Sequence, residues 1–462
     1  MQLYFLQQVW KTLDEEHQSI QNQILQVLVS KLKTAVSQIE RVQRRKKDKN
    51  MDDGNNVVKV KRLKYALVKD CLDAAIHDFE AWQKMFDPSW FLIMKVGSPL
   101  IDQELAKDGR TGVATLCTAK EVRDSLKEEP QIKTSVFLPE ADLNSAKQDN
   151  IPFSTAQIMQ RTASSKWFIL DSVACDPEAN ISILRKDVRD LARKLSRAEP
   201  FTFGLFNCRG VVQVTDEAKT RVISFTFVFR VQEGMKNPQS LRSILKSADV
   251  NLSLSDRFRV ALQLATSVSY IHMYGFVHKN IRPETVLIFQ NQKSPLGASF
   301  LLGFERFRLA DGRTMLFGDC AWEKNLYRHP RRQGLTPEED YTMQHDIYSL
   351  GVCLLEIGLW ESFVIYHNEE SPPTPSPALA ILDDPEKDGI KKASLVKDIL
   401  VSLARQRLPS RMGDKYTEIV ITCLTCLDES NTAFGDESEF EDADGVLIGV
   451  RYIEKVRQSV LI

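Results

Sequence analysis

The chain carries almost no net charge, with 61 Lys+Arg against 62 Asp+Glu for a formal value of -1. No global attraction to nucleic acid or anionic lipid follows, so any such attraction must come from a local patch. No apolar run reaches the length of a membrane span, and residues 1–10 lack the basic-then-apolar pattern of a secretory leader. Cysteine is sparse and scattered: of 8, only Cys423 and Cys426 form a C-x-x-C pair. No second pair or nearby histidine completes a tetrahedral zinc site, and the pair lies in an apolar run, so core packing is expected. An intracellular, cytoplasmic and reduced setting is expected. Among 20 glycines no G-x-G occurs, which leaves no glycine-rich loop to fold over the phosphates of a nucleotide.

What is present is ordinary globular composition, 43% apolar and 27% charged, over 462 residues, enough for two or three domains. The front is helical by period. Leu25, Leu28, Leu32, Ala35, Ile39 and Val42 draw one apolar stripe, and Val60, Leu63, Leu67, Cys71, Ala74, Phe79 and Trp82 draw a second. A polar break at 51–56 separates them, which predicts two antiparallel helices. Basic residues flank the break, from Arg41 to Lys49 and from Lys59 to Lys64; they suit a solvated connection or a membrane surface. No aromatic residues are interleaved to stack bases, so no nucleic acid is expected there. The opening segment places Leu3, Leu6, Val9, Trp10 and Leu13 on one side, a face suited to packing on the helical pair or to lying on a membrane.

Residues 97–155 show no clear period, and the domain boundary is expected between 145 and 165, with 1–150 as the helical region. Beyond it, 167–173 reads as a strand and 181–195 as an amphipathic helix carrying Leu184, Val188, Leu191 and Leu195. The runs 203–214 and 222–231 read as Phe- and Val-rich strands. The remainder is mainly helical: 241–246, 254–273, 344–357, 393–406 and 416–426, with a Pro-rich loop at 371–377 and an acidic one at 428–444. A small strand-rich half (151–238) therefore precedes a larger helical half (239–462).

Within the helical half, residues 270–288 read Tyr-Ile-His-Met-Tyr-Gly-Phe-Val-His-Lys-Asn-Ile-Arg-Pro-Glu-Thr-Val-Leu-Ile. This resembles the catalytic-loop segment of protein kinases, H-R-D-x-K-P-x-N followed by a short strand. Further blocks keep the kinase order. Phe300-Leu-Leu-Gly-Phe-Glu305 stands in the place of the D-F-G segment, 325–331 in that of A-P-E, and 341–357 in that of the helix after the activation segment. The resemblance implies an α+β, bilobal kinase-like domain from about Lys166 onward, with Asp346 bracing the loop.

Phosphoryl transfer requires a carboxylate for the substrate proton and two oxygen ligands for magnesium. At the matching positions stand Asn280, Thr285 and Gly303. None offers the required carboxylate, and Gly303 has no side chain at all. His278 and the positive charge of Arg282 are retained, whereas Arg331 replaces the glutamate of A-P-E. Lys166, at the strand edge, is the nearest candidate for the phosphate-pairing lysine, with Asp187 or Asp190 as its carboxylate partner. Catalysis is not expected, nor is a metal or cofactor; ATP could be held only without turnover.

Residues 62–94 resemble the fungal HeLo-type helical domains found in front of degenerate kinase modules, although the chain starts inside that pattern without its small apolar leading segment. The resemblance implies incompatibility or cell-death signalling, with the folded partner domain as sensor or latch. The expected function is therefore a pseudokinase that binds a protein partner. The alternatives are a divergent Ser/Thr-type kinase using Glu305 as a metal ligand, and a membrane effector working through the front helices.

Overall fold

A computed structural model describes residues 2–13, 15–42, 93–95, 99–108, 119–120, 122–124, 135–144, 146–161, 166–175, 180–218, 220–247, 252–290, 296–304, 308–309, 321–334, 341–367, 371–379 and 389–431. The chain divides into two compact units, Met1–Asp124 and Ser125–Ile462. A boundary near 150 is thus too late, because strands at 137–138 and 146–150 already belong to the second unit's main sheet.

In the first unit, helices α1 (Gln2–Val9), α2 (Glu15–Val42) and α3 (Pro99–Asp108) are described. The apolar side of the opening segment is buried at Phe5, Leu6, Val9 and Leu13, and α1 packs on α3, which buries Ile101 and Leu105. Arg123 ties this corner together, donating from Nε and Nη2 to the Asp102 carboxylate at 2.6 and 3.0 Å and from Nη1 to the Met94 carbonyl at 2.7 Å. The face considered for a membrane is therefore engaged with protein inside its own unit. The second stripe, the basic break from 43 onward and nearly all of the HeLo-like segment lie outside the described residues.

The second unit opens with a six-stranded sheet, order β1-β5-β6-β4-β3-β2. Its strands are β1 (Phe137–Leu138), β2 (Ala146–Asn150), β3 (Gln157–Arg161), β4 (Trp167–Ala174), β5 (Cys208–Thr215) and β6 (Val222–Arg230). The β2–β3 hairpin was not legible as strands because it forms the sheet margin: β2 is the polar run Ala-Lys-Gln-Asp-Asn, and β3 fully buries only Met159. The central strands differ. β4 buries Phe168 to Asp171 in succession, as expected of a strand covered on both faces. Helix α4 (Ile181–Leu195) starts where the Asn180 side chain accepts from the Ser182 and Ile183 amides, and it lays Val188, Leu191 and Leu195 against the sheet.

The strand expected over 203–214 begins only at Cys208, because Pro200–Phe203 forms a helical turn that ends at Gly204 in the left-handed region, φ +61°. A Cβ at Gly204 would lie 2.2 Å from Ser267 Oγ, so a side chain is excluded there by contact as well as by conformation.

The helical half contains α5 (Leu241–Lys246), α6 (Leu254–Met273), α7 (Met343–Leu359), α8 (Gly389–Arg407) and α9 (Asp414–Leu424). A capping box of Ser253 and Asp256 starts α6. Helix α7 is buried along almost its whole length between α6 and α9, which explains its continuous apolar character. It meets α9 closely, since a Cβ at Gly351 would lie 2.6 Å from Cys423 Cβ. Cys423 and Cys426 are buried; the Cys426 thiol points at the Gln344 carbonyl, 3.3 Å away, and burial pushes its pKa well up. Small strands β7 (Lys236–Ser240), β9 (Val286–Gln290) and β10 (Ser299–Leu301) form a second sheet, and β8 (Phe276–Val277) pairs with β11 (Arg308–Leu309). Among the described residues no helix is long and apolar enough to cross a membrane.

Candidate functional site

The loop 278–285 hangs between β8 and β9 and is braced from the start of α7. Asp346, fully buried, accepts from the backbone amides of His278 (2.7 Å) and Lys279 (2.8 Å) and from Tyr341 Oη (2.7 Å), and is hydrogen-bonded to His272 Nε2 (2.9 Å). Burial alone would raise this carboxyl's pKa; the bond to His272, the neighbouring imidazoles of His272 and His278 and the His278 amide hold it below the ordinary carboxylate value. His278 goes the other way: desolvation lowers its pKa to about 4, against the pull of Asp346, so the ring is neutral at pH 7. Its Nδ1 accepts from the Asn280 amide at 3.3 Å, and the ring lies 5.1 Å from that of Phe304.

The positions that would carry phosphoryl transfer are bonded to one another. Asn280 Nδ2 donates to the Gly303 carbonyl (3.1 Å), and Asn280 Oδ1 accepts from Arg282 Nε (2.8 Å). Arg282 Nη1 lies 3.6 Å from Glu284 Oε2. Thr285 Oγ1 donates to the Asn280 and Arg282 carbonyls (2.9 and 2.8 Å) and accepts from the Arg282 amide (3.2 Å). All four side chains are buried. Asn280 and Thr285 are therefore spent on internal hydrogen bonds. Neither can offer a carboxylate to a substrate hydroxyl.

The most informative residue was not singled out in the sequence. In the kinase-like order β4 is the third long strand, the one from which kinases aim the lysine that pairs with phosphates. Here it presents Asp171, a buried carboxylate between Leu170 and Ser172. Asp171 Oδ2 accepts from the amides of Gly303 (2.9 Å) and Phe304 (3.0 Å). Strand half and helical half are joined here by the Asp171 carboxyl, on the strand where the kinase-like order would place a lysine. A lone acid in Phe-Ile-Leu-Asp-Ser-Val was the available signal; a search for lysine passes over it.

Aromatic rings complete the seam. Phe206 stacks on Phe300 at 4.2 Å and meets Phe289 edge-on at 5.8 Å, and Phe304 lies 6.0 Å from Phe227 and 6.2 Å from Phe229. The Phe-rich strands thus build core between the two halves.

Lys166 is exposed ahead of β4 and forms no ion pair with Asp187 or Asp190. Asp187 is buried on α4, and Asp190 is engaged by Arg189 Nε at 3.0 Å. The structure does not bring that trio together as a phosphate site. Glu305, the alternative metal ligand, lies outside the described residues. Among those described, no group of three or more His, Cys, Asp or Glu is disposed to hold a metal.

Gly303 has no room for a side chain. It holds φ +85°, and a Cβ there would lie 2.3 Å from Thr285 Cγ2 and 2.7 Å from Thr285 Cβ. Gly303→Asp is therefore expected to cost about 2–4 kcal/mol from overpacking and left-handed strain, read as a lowered denaturant midpoint. Wild-type stability together with a new magnesium-dependent stabilisation would contradict this.

Comparison with known proteins bears on the fold. No protein-family profile matches the chain. Curated relatives include a serine/threonine-protein kinase-like protein of Arabidopsis thaliana, 30% identical over 132 residues, 28% of this chain and 35% of the relative. A sporulation protein kinase of Schizosaccharomyces pombe is 28% identical over 103 residues, 22% of this chain and 18% of the relative. A STE20-related kinase adapter protein of Caenorhabditis elegans is 25% identical over 179 residues, 36% of this chain and 42% of the relative. The chain spans well under two thirds of each. With the mixed sheet-and-helix order described above, these matches make the fold kinase-like.

Proposed function

We propose that this chain is a pseudokinase: a kinase-like domain that carries out no phosphoryl transfer and serves as an interaction or regulatory module for a protein partner. The observation that carries the reading is the bond from Asp171 to the Gly303 and Phe304 amides. A phosphate oxygen brought within 4 Å of that carboxylate would meet roughly 4 kcal/mol of repulsion at an effective dielectric of 20. The Gly303 and Phe304 amides beside it are already engaged by Asp171. Asn280 and Thr285, spent on internal bonds, add the loss of base and metal ligand. A relative named as a kinase adapter supports a regulatory use of such a fold. The likeness of residues 62–94 to HeLo-type domains adds the finer proposal that the front unit is the effector held in check, as in fungal incompatibility or cell death.

The test is thermal unfolding of the full chain with and without millimolar ATP, in magnesium and then in EDTA. A ligand that binds only the folded state contributes about 2.7 kcal/mol at a hundredfold excess over Kd, a shift of several degrees. No shift is expected in either condition. A magnesium-dependent shift would overturn the reading, whereas a shift seen equally in EDTA would mean nucleotide held as a structural ligand.

A further inference from the structure

The turn of the β2–β3 hairpin, residues 151–156, contains no glycine, yet Phe153 holds φ +52°. A residue with a side chain keeps the left-handed conformation only where its surroundings impose it. Those surroundings come from the helical half. The Phe153 ring lies 5.1 Å from that of Tyr366, and Lys246 Nζ, on the last turn of α5, sits 3.9 Å from its centroid. The same ammonium is 5.9 Å from the Tyr366 ring. Beside them, Ser240 Oγ donates to the Pro152 carbonyl at 2.9 Å while accepting from the Ser243 amide at the start of α5. Tyr366 Oη in turn donates to Glu284 of the loop 278–285, at 3.3 Å. A turn from the strand half is thus seated on three side chains of the helical half, one of them bonded into the emptied loop.

We infer that Phe153, Lys246 and Tyr366 form a lock that holds the two halves of the kinase-like unit together, with the Lys246 cation as its key. A cleft that turns over nucleotide must open and shut in each cycle. Here the chain's own side chains supply the closure: a cation over two aromatic faces, stronger where partly desolvated, and a capped serine gripping the turn. Displacing Phe153 from this seat releases the hairpin and uncouples the halves. The lock stands whether or not nucleotide binds, so its test is separate from the ATP experiment.

The experiment is native-state hydrogen exchange on the full chain, followed at the amides of Ile151 and Ser154, which are bonded within the turn to Ala156 and Ile151. Lys246→Met keeps length and removes charge; about tenfold faster exchange is expected, with Lys246→Arg remaining near wild type. Phe153→Leu should give a similar acceleration, and the Phe153→Leu/Lys246→Met pair no more than Phe153→Leu alone, because the two act through one contact. Amides within α7 should be unchanged. Unchanged turn exchange in Lys246→Met, equal acceleration by Met and Arg, additive effects in the pair, or equal acceleration in α7 would each overturn the lock.

Discussion

Between pH 6.5 and pH 5 the kinase-like unit is expected to lose about 5 kcal/mol of stability, through three buried histidines with depressed pKa values. Desolvation leads in each case. It lowers His278 to about 4, and it lowers His329 and His345 each to about 3. Neighbouring charges act on top of burial: His345 and Lys397 lower His329, Arg332 and Arg331 lower His345, and Asp346 opposes the shift at His278 and at His345. The rings of His329 and His345 stand 5.8 Å apart, edge to face, so neither favours a charge on the other. In the unfolded chain these groups take up protons near the ordinary value of 6.5, whereas the folded chain must remain neutral well below it. The unfolded state therefore binds more protons over this window, and stability falls as pH falls. Each such histidine contributes up to about 1.4 kcal/mol per pH unit. Asp346, depressed by its partners, keeps its own contribution throughout, since that is lost only as pH drops through its lowered folded value. Denaturant midpoints measured from pH 7 to pH 5 check this, and His329→Asn should flatten the slope by about one histidine's share. A midpoint constant over that range would show that the rings are not held neutral.

Arg242→Met should cost about 3–5 kcal/mol, because it strands two buried carboxylates. Arg242 is fully buried on α5. It donates from Nε to Glu284 (2.9 Å), from Nη1 to Glu356 (2.8 Å) and from Nη2 to Tyr327 Oη. Tyr327 Oη donates in turn to Glu356 Oε2 at 2.7 Å, and the Phe363 amide donates to Glu356 Oε1 at 2.7 Å. Burial works against the arginine's charge, but Glu284, Glu356 and Tyr327 hold its pKa well above the ordinary range. The carboxylates respond differently. For Glu284 burial is outweighed by Arg242 and Arg282 and the pKa is lowered; for Glu356 burial prevails and it is raised. Without the guanidinium both face desolvation with far less compensation. Replacing Glu284, Glu356 and Arg242 together with apolar or amide side chains of similar volume should recover much of the loss, because a buried ion network removed whole costs less than one broken. Denaturant midpoints of the single and triple variants decide it, and an Arg242→Met protein as stable as wild type would refute the account.

The sequence by itself determined much of the second unit's local structure and which side chains stand at the kinase-like positions of its loop. Leu184, Val188, Leu191 and Leu195 specify α4, and Ser253 with Asp256 starts α6. The residues in 270–288 and 341–357 announce a kinase-like loop and its supporting helix. The identities Asn280, Thr285 and Gly303 place no carboxylate at those three positions, since a side chain's chemistry requires no coordinates. The hairpin escaped that reading because β2 and β3 form the sheet margin, where polar side chains carry no period-two signal. A search by charge singles out Lys166 at the strand edge, whereas the strand's geometry presents Asp171. Only the tertiary structure decided which distant groups meet at the loop. Asp171 and Gly303 meet across 132 positions, and Arg242 and Glu356 across 114. Periodicity and spacing report on neighbours along a chain, but which buried donor satisfies which acceptor is set by how distant elements pack.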